Sequence, residues 1–307
     1  MNQMTDFEFH PAAIVEVDQH QDSQRLDNFL MAQFRELPKA RIYQMIRKGE
    51  VRINKGRAKP TSRLNAGDLV RLPPVKIEKK VEIDVPKNAW DELKTCILFE
   101  NDDFLIIDKP SGLAVHRGSE IAYGVIEILK AHGDHDFYEL VQRLDRDTSG
   151  LLLIAKSGSA LRTLQNSDLS RQYALIVKGN WQQKFADTTS IITLPLDTEN
   201  RVNGERHVIV SDKGKDAETH FTLIEKGHHA SLLHAILKTG RTHQIRVHSA
   251  ASGFPIAGDP RYYQGAPDKH RLALHAMALR FTYHEMPFSF ESPIPKSLMN
   301  IFNKLNQ

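Results

Sequence analysis

One segment, residues 141–156 (VQRLDRDTSGLLLIAK), constrains the fold of this chain more than any other part of its sequence. Residues 151–155 form an unbroken apolar run, which is typical of a strand buried in the core. A dense polar turn directly precedes this run and contains Arg143, Asp145, Arg146, Asp147, Thr148, Ser149 and Gly150. The segment therefore predicts a buried strand with charged side chains at its N-terminal end.

Many other short strand-like runs are separated by Gly, Asn and Asp turns. Residues 97–110 predict a hairpin, and residues 121–133 (IAYGVIEILKAHG) predict an amphipathic helix. Further strands are predicted in RQYALIVKG, IITLPLD, RHVIV, THFTLIEKG and SLLHAILKTG. The sequence shows no βαβ alternation, no Gly-rich phosphate loop and no internal repeat. These features predict an α+β fold with a mainly antiparallel sheet and flanking helices.

The N-terminal part of the chain is strongly basic. Between residues 25 and 72, twelve Lys and Arg stand against four Asp and Glu, a net charge of +8, whereas the whole chain of 307 residues carries only +3. Residues 25–34 and 39–48 predict two helices, the second ended by Gly49, and a hairpin and a further strand follow. Such a charge concentration is typical of a polyanion-binding module, and a solvated surface rich in Lys and Arg is the simpler alternative.

These patterns divide the chain into four parts. Residues 1–20 are interpreted as a loose lead-in, and residues 21–74 as the small basic αβ module. Residues 75–92 are charged and lack clear periodicity, so they are interpreted as a linker. Residues 93–307 form the second, larger domain.

The composition excludes several classes of protein. The single cysteine, Cys96, cannot form an internal disulfide, and no apolar run reaches the length of a membrane span. The first residues, MNQMTDFEFH, lack the charged-then-apolar pattern of a signal sequence. We therefore expect a soluble cytoplasmic protein, and a monomer because no hydrophobic interface is readable.

A second polar cluster occupies residues 239–253 (TGRTHQIRVHSAASG). It predicts a turn followed by a short helix at residues 243–252, with Thr242 as the N-cap. His243 and His248 could suggest zinc, but they are five residues apart, have no Cys partner and do not form an H-E-x-x-H motif. We therefore expect no metal.

The turn before the buried strand allows two interpretations. In the first, its Asp and Thr side chains only satisfy their own backbone, as in many turns. In the second, Asp145 is a carboxylate at the mouth of a rigid strand, kept ionised by cationic neighbours and available as a nucleophile. The chemistry of these residues alone favours the first interpretation.

The basic module resembles the S-four-like RNA-binding domain, which is named after a small-subunit ribosomal protein. The resemblance covers about fifty residues and rests on an I-x-x-G-x-V-x-x-N core, here IRKGEVRIN. It implies that exposed cations of this module bind RNA. The residues expected to do so are Arg41, Arg47, Lys48, Arg52, Lys55 and Arg57.

The two polar clusters together resemble the RluA/RluC family of pseudouridine synthases, most closely its subgroup C. The matching blocks lie in the family's order within residues 20–290: DKPSGLAVH, RLDRDTSGLLLIAK, RQYALIVKG, GKDAETHF, TGRTHQIRVH, PIAGDPRY and LALHA. The resemblance implies an enzyme that isomerises specific uridines of large-subunit ribosomal RNA to pseudouridine without a cofactor or metal.

The resemblance also implies roles for individual residues. Asp145 would attack the sugar or the uracil, or stabilise the departing base, and Arg246 would pair with Asp145. Tyr173 would lie against the uracil ring; taken without the resemblance, it is one more strand aromatic. Because a stacked base cannot expose both faces, the target nucleotide must be flipped out, and Arg143 would fill the vacated stack. The residues expected to bind the substrate are Arg143, Gln142, Arg241, His243, Gln244, Lys109 and Leu274.

Three features depart from the family pattern. Gln142 stands where the family usually has His, and since Gln cannot titrate, an acid–base role at that position is in doubt. Arg171 replaces the usual Lys and keeps its charge. The segment at residues 161–171 is several residues shorter than usual.

Two other functions remain open: a non-catalytic RNA-binding protein of the same fold, and a hydrolase that uses Asp145 and Asp147 as a carboxylate pair. The intact set of Asp145, Tyr173 and Arg246 argues against the first. The spacing of two residues on one turn argues against the second, because such carboxylates need not bracket a scissile bond.

Overall fold

The computed structural model describes residues 7–34, 37–78, 84–118, 121–198, 201–202, 205–263, 265 and 269–307. The chain forms two compact units, residues 1–82 (unit 1) and residues 83–307 (unit 2). Within the described ranges, no helix is both long and apolar enough to cross a membrane.

Unit 1 combines two helices with short antiparallel strands. Its four-stranded sheet has the order β2-β5-β3-β4, and β1 pairs separately with β6. The two helices and the inner face of the sheet share one apolar core, which includes Leu30, Met45 and Val70. The elements are β1 (Phe7–His10), β2 (Ala13–Glu16), α1 (Leu26–Gln33), α2 (Lys39–Lys48), β3 (Arg52–Ile53), β4 (Gly56–Arg57), β5 (Leu69–Leu72) and β6 (Val75–Glu78).

The predicted helix at residues 39–48 is confirmed, together with its end at Gly49. Gly49 has φ of 70° and donates its backbone N–H to the carbonyls of Ile46 and Met45. A glycine is favoured there because the left-handed conformation has no steric cost without a Cβ.

In its described residues, the interpretation of residues 1–20 as a loose lead-in and of residues 75–92 as a linker needs correction; residues 1–6 and 79–83 lie outside the described residues. β1 and β6 pair with each other, and β2 joins the edge of the four-stranded sheet. The short sequences FEFH and VKIE alternate apolar and polar residues, which suits a two-stranded pair, but runs of four residues are too short to stand out. The last part of the expected linker is a helix of unit 2.

Unit 2 is built on one large mixed sheet. Among the described residues its strand order is β12-β17-β18-β11-β19-β10-β8-β7, with β20 on β19 and β9 on β10. All pairs are antiparallel except β10 with β19. The elements are α3 (Lys87–Lys94), β7 (Ile97–Glu100), β8 (Phe104–Lys109), α4 (Val125–His132), β9 (Glu139–Leu140), β10 (Ser149–Ala155), α5 (Gly158–Gln165), β11 (Ser170–Lys178), β12 (Thr189–Ile192), β13 (Leu196–Asp197), β14 (Arg201–Val202), β15 (Glu205–Arg206), β16 (Ile209–Val210), β17 (Thr219–Lys226), β18 (Ala230–Leu237), α6 (Gln244–Ala251), β19 (Leu274–Tyr283), β20 (Met286–Glu291) and α7 (Lys296–Leu305). The predicted α+β fold with a mainly antiparallel sheet is confirmed.

Strand β10 is buried along its whole length, as its sequence predicts. Leu152 and Ile154 pack into a core that also contains residues of α3, α4 and α7. Leu151 and Leu153 pack on the opposite side, with residues of α5 and an aromatic cluster. Because both faces are covered, this strand is a rigid base for the polar turn that precedes it.

Gly150 fixes the point where β10 meets β19. Its φ is 108°, and a Cβ at this position would overlap the backbone of Ala276. A glycine is therefore required both by the backbone conformation and by the close approach of the two strands. This contact anchors the polar turn to the centre of the sheet.

Candidate active site

A cavity of about 550 Å³ lies next to the start of β10. Four segments of unit 2 line it: the turn before β10, the end of α5 with the first half of β11, the end of β18 with the start of α6, and the first residue of β19. The two polar clusters found in the sequence therefore meet in space, although about one hundred residues separate them along the chain.

Asp145 lies in this cavity in contact with Arg246. Nη1 of Arg246 donates to Oδ2 of Asp145 at 3.0 Å, and the Asp145 side chain is 30% exposed. Arg246 is in turn held by Asp259, whose Oδ2 and Oδ1 accept from Nε and Nη2 at 2.8 Å each. The bidentate contact fixes the plane of the guanidinium, so Arg246 presents its third nitrogen, Nη1, to Asp145 in one orientation.

Charge pairing offsets the cost of burying Arg246 and Asp259. Burial acts to lower the pKa of Arg246, but the hydrogen bond and charge of Asp259, and then those of Asp145, raise it above its ordinary value. Burial acts to raise the pKa of Asp259, but Arg246 together with two backbone N–H donors brings it below its ordinary value. The site is therefore preorganised around a permanent cation.

His243 directly precedes α6 and approaches Asp145. Its Nε2 lies 3.7 Å from Oδ2 of Asp145, and its Nδ1 lies 2.8 Å from the hydroxyl of Tyr262. Burial lowers the pKa of His243 to about 4, with Arg246 acting in the same direction and Asp145 against it. His243 is therefore neutral at pH 7, and its φ of 52° marks a strained backbone held by its surroundings.

Tyr173 comes from β11 and lines the same cavity. A bulge in the pairing of β11 with β19, between Gln172 and Tyr173, sets the direction in which this side chain points. The tyrosine is buried, and burial raises the pKa of its phenol above its ordinary value. At neutral pH it presents an intact hydroxyl.

Most of the other residues expected to bind substrate also line this cavity. They are Gln142, Arg143, Arg241, Gln244 and Leu274. Arg143 is exposed, whereas Gln142 is buried. The amide of Gln244 is used inside the protein: it accepts from the Arg241 backbone N–H and the Thr239 hydroxyl, and it donates to Glu218 and Thr219. Gln244 therefore shapes the loop that carries Arg241.

The prediction of Thr242 as the N-cap of α6 is wrong. The structure places His243 at that position, and no side-chain cap bonds the first turn. The Gln244 amide described above braces the preceding turn instead, which is why the helix begins without the usual Ser or Thr cap.

The interpretation of Lys109 as a substrate-binding residue also needs correction. Lys109 is fully buried at the end of β8, and it does not line the cavity that contains Asp145. Its Nζ donates to the carbonyls of Pro110, Leu113 and Arg146 at 2.8–2.9 Å. Burial lowers its pKa to about 7, while the charges of Asp147 and Asp145 act against that shift. Lys109 therefore braces the turn that carries Asp145.

Asp145 and Asp147 do not face a common space. Asp147 accepts from Nε of Arg146 and lines a different cavity of about 390 Å³, together with Ser111 and Arg271. A pair of carboxylates that bracket one bond is not formed, which argues against the hydrolase alternative.

Two residues of the site were not given roles by the sequence reasoning: Asp259 and Tyr262. Both lie in the block PIAGDPRY, which the sequence comparison with the family already included. The contacts of Asp259 with Arg246 and of Tyr262 with His243 form only in the folded chain, so the sequence alone did not reveal them. Tyr262 also lies 5.2 Å from the Arg246 guanidinium, measured to the ring centroid.

Of the six residues expected to bind RNA, most are exposed cations of unit 1. Arg47 and Lys48 end α2, Lys55 and Arg57 belong to the hairpin, and Arg52 is half-buried. Arg41 is different, because its guanidinium makes a bidentate ion pair with Glu50, with Nη2 to Oε2 at 2.9 Å. Its charge is partly compensated by Glu50 within the module, and its role as an RNA contact stays a prediction.

Two family models match the chain. Residues 103–251 match RNA pseudouridylate synthase, and residues 24–70 match the S4 domain. Similar proteins named ribosomal large subunit pseudouridine synthase C include those of Yersinia pestis (45% identical, covering 88% of each chain) and Escherichia coli K12 (42% identical, covering 95% of this chain and 96% of the relative).

Solved structures show the same fold at lower identity. Human RNA pseudouridylate synthase domain containing 4 superposes with a TM-score of 0.58 at 20% identity, over 71% of this chain and 95% of that one. Human RNA pseudouridylate synthase domain containing 1 gives 0.55 at 21% identity, over 68% and 93%. With relatives above 40% identity over most of its length, the chain belongs to the RNA pseudouridylate synthase family.

Proposed function

We propose that this RNA pseudouridine synthase isomerises uridines of large-subunit ribosomal RNA and that Asp145 is its catalytic carboxylate. The observation that carries the proposal is the ion pair of Asp145 with Arg246 inside a cavity of about 550 Å³. The names of the relatives support ribosomal RNA as the substrate. That substrate in turn supports a cytoplasmic location, and since one chain supplies the whole site, we propose that it acts as a monomer.

The reaction breaks the N1–C1′ bond of uridine and forms a C5–C1′ bond, and a proton leaves C5 while N1 gains one. A base stacked in a helix cannot turn over in this way, so the target must leave the stack. Flipping an unpaired uridine out of a loop costs less free energy than breaking a base pair, so loop uridines are the preferred targets. Arg143 is exposed at the cavity, where its flat guanidinium can stack in the vacated position.

The contacts of Asp145 indicate which oxygen reacts. Oδ2 accepts from Arg246 and lies near His243, whereas no described residue donates to Oδ1. Oδ1 is therefore the oxygen available to attack C1′ of the ribose or C6 of the uracil. Arg246 orients the carboxylate through its hydrogen bond, and Tyr173 places its ring and hydroxyl against the base.

Tyr262 acts as a positioning residue for this carboxylate through His243. The Val208 backbone N–H donates to the Tyr262 hydroxyl at 3.3 Å, so that the hydroxyl proton is available to Nδ1 of His243. The single ring proton of the neutral imidazole is then on Nε2, the nitrogen that faces Asp145. The chain of contacts fixes both the tautomer and the direction of His243.

A direct assay tests the proposed function. The full-length protein is incubated with unmodified large-subunit ribosomal RNA, and pseudouridine is measured by mass spectrometry of nucleosides and mapped by reverse transcription. We expect mass-neutral conversion at discrete uridines. Binding without conversion, or strand cleavage, would contradict the proposal.

Replacing Tyr262 by Phe tests the positioning role. Loss of one hydrogen bond to His243 should lower kcat about fivefold, because one such bond contributes roughly 1 kcal/mol, and should leave KM within about twofold. The ring contact with Arg246 is kept in this variant. Tyr263→Phe is the matched control, since that ring packs under Lys178 and does not contact His243. Equal kcat values for the two variants would show that the hydroxyl has no positioning role.

A further inference from the structure

A buried hydrogen-bond network joins the first residue of β10 to neighbouring segments of unit 2. Ser149 and His275 are paired across the parallel strands β10 and β19, and Oγ of Ser149 lies 2.9 Å from Nδ1 of His275. On the other side of the ring, Nε2 lies 3.1 Å from the Ser292 hydroxyl and 3.3 Å from the Ser292 carbonyl. The Ser292 hydroxyl donates to Oδ2 of Asp108 in β8 at 2.8 Å. Nη1 of Arg271 donates to Oγ of Ser149 at 3.3 Å, and these five residues are called the His275 network below.

The contacts fix the direction of every hydrogen bond in the His275 network. A carboxylate and a carbonyl can only accept, so the single proton of the Ser292 hydroxyl goes to Asp108, and Nε2 of His275 donates to Ser292. Burial lowers the pKa of His275, with Arg271 acting in the same direction and Asp108 and a hydrogen bond with Ser292 against it, so the imidazole is neutral at pH 7. A neutral imidazole has one ring proton, so Nδ1 accepts from Ser149. The bonds therefore run in one direction, from the Arg271 guanidinium to the Asp108 carboxylate.

The centre of the network is closed to water. Ser149 is 6% exposed, His275 1% and Ser292 3%, so their polar groups depend on each other for hydrogen bonds. Removing one hydroxyl would leave a buried partner unsatisfied, and the remaining members would have to move to find another. The network is therefore expected to respond as a unit.

The network also completes the contacts that hold the turn before β10. Lys109 and Ser111, which follow Asp108 along the chain, donate to backbone carbonyls of this turn at 2.9 Å and 2.7 Å. The His275 network adds a side-chain contact at Ser149, where the turn becomes strand. The turn that carries Asp145 is thereby held both along its length and at its end.

The His275 network lies apart from the space that a nucleotide would occupy. Four of its members, Asp108, Ser149, Arg271 and His275, line a separate cavity of about 350 Å³. None of the five lines the cavity that contains Asp145. The network can therefore influence the reaction only through the position of the turn. A misplacement of about 1 Å in an active site can cost roughly 100-fold in rate, so even a smaller shift is measurable.

We propose that the His275 network positions Asp145 for the reaction and that His275, as the Nε2–H tautomer, is its central positioning residue. The proposal rests on the proposed function in taking Asp145 as the catalytic carboxylate. A network that only stabilised the fold would behave differently: its loss would lower the free energy of unfolding and leave the turnover of the folded protein unchanged.

Two serines on opposite sides of the imidazole test the proposal. In Ser149→Ala and in Ser292→Ala, we expect kcat for pseudouridine formation in ribosomal RNA to fall roughly tenfold per folded protein, because the turn shifts. KM should stay within about twofold, since no contact with RNA is removed. The two serines are joined in the network through His275. The double variant should therefore also lose roughly tenfold, and not the roughly 100-fold of two independent effects.

Ser231→Ala is the matched control. Ser231 is a fully buried serine of the same sheet, in β18, and its hydroxyl donates to the Gly179 carbonyl and accepts from the Trp181 backbone N–H, both at 2.9 Å. This variant also loses two buried hydrogen bonds, but away from the turn, so its kcat should stay within about twofold. A tenfold loss in Ser231→Ala, an unchanged kcat in Ser149→Ala or a 100-fold loss in the double variant would overturn the proposal.

The tautomer of His275 is measured independently of activity. With ¹⁵N-labelled histidine in the full-length protein, two-bond ¹H–¹⁵N spectra at pH 7 should show the Nε2–H form for the ring whose signals disappear in His275→Gln. An Nδ1–H form or a doubly protonated ring would refute the directed network. Absence of pseudouridine formation in the unmodified protein would instead count against the proposed function, so the two failures are distinguishable.

Discussion

Replacing Asp145 by Asn should abolish isomerisation while RNA binding stays close to that of the unmodified protein. The amide keeps the size of the carboxylate and can still accept from Arg246, but it has no anionic oxygen to attack the nucleotide. Loss of an essential nucleophile typically reduces turnover by about 10⁴-fold or more. One side chain contributes little to a contact with many phosphates, so the Kd for RNA should change less than about threefold. Single-turnover pseudouridine formation and a binding titration measure the two quantities.

Asp147→Asn provides the comparison, because this carboxylate lies on the same turn but faces another cavity. We expect its isomerisation rate to stay within about threefold of the unmodified protein, since it does not contact the site. Equal, large losses in both variants would indicate that the two carboxylates act as a pair. A rate near normal in Asp145→Asn would reject Asp145 as the catalytic group.

The strongly patterned parts of the fold could be predicted from the sequence. The apolar run of β10 and the helix α2 with its terminal glycine both follow from local chemistry, since periodicity and capping are read from neighbouring residues. The helix α3 was not predicted. Val85, Ala89 and Leu93 have helical spacing and pack in the core, but the charged residues between them make the apolar periodicity hard to recognise. The first strands were missed because their stability depends on partners far along the chain.

The site residues also divide into those that the sequence predicted and those that depend on contacts between distant segments. The resemblance named Asp145, Tyr173 and Arg246, and the structure brings all three to one cavity. Asp259 could not be assigned, since the bidentate contact that orients Arg246 joins residues on different segments. The resemblance implied that Lys109 binds the substrate, whereas its three backbone acceptors are created only by the folded turn.

Removing the contact of Arg246 with Asp259 should have a second large effect, a loss of folding stability. Replacing Arg246 by Met removes the cation and leaves the Asp259 carboxylate, which has no exposed side-chain surface, without its charged partner. Breaking a buried ion pair in this way costs about 3–5 kcal/mol. The free energy of unfolding should fall by that amount at pH 7, and isomerisation should be lost with it. Both tryptophans, Trp90 and Trp181, belong to unit 2, so urea titration followed by tryptophan fluorescence reports on the affected unit.

The loss of stability in Arg246→Met should become smaller as the pH falls. In the unmodified protein the pKa of Asp259 is below its ordinary value, so its stabilising contribution is present above about pH 4 and is lost as the pH falls through the lowered pKa. In Arg246→Met, burial without a cation raises the pKa of Asp259, so protonation relieves the cost as the pH falls through that raised value. The difference in stability between the two proteins should therefore shrink between pH 7 and about pH 4.

A double variant separates the buried charge from the lost packing. Asp259→Asn in the Arg246→Met background removes the unpaired carboxylate, while the amide oxygen can still accept from the backbone N–H groups of Arg261 and Tyr262. We expect it to recover about 2 kcal/mol of the deficit at pH 7 and to lose the pH dependence, because no buried carboxylate is left to titrate. Isomerisation should stay absent, since Asp145 still lacks its guanidinium. A double variant as unstable as Arg246→Met at every pH would show that packing around Arg246, and not the charge on Asp259, sets the stability of this site.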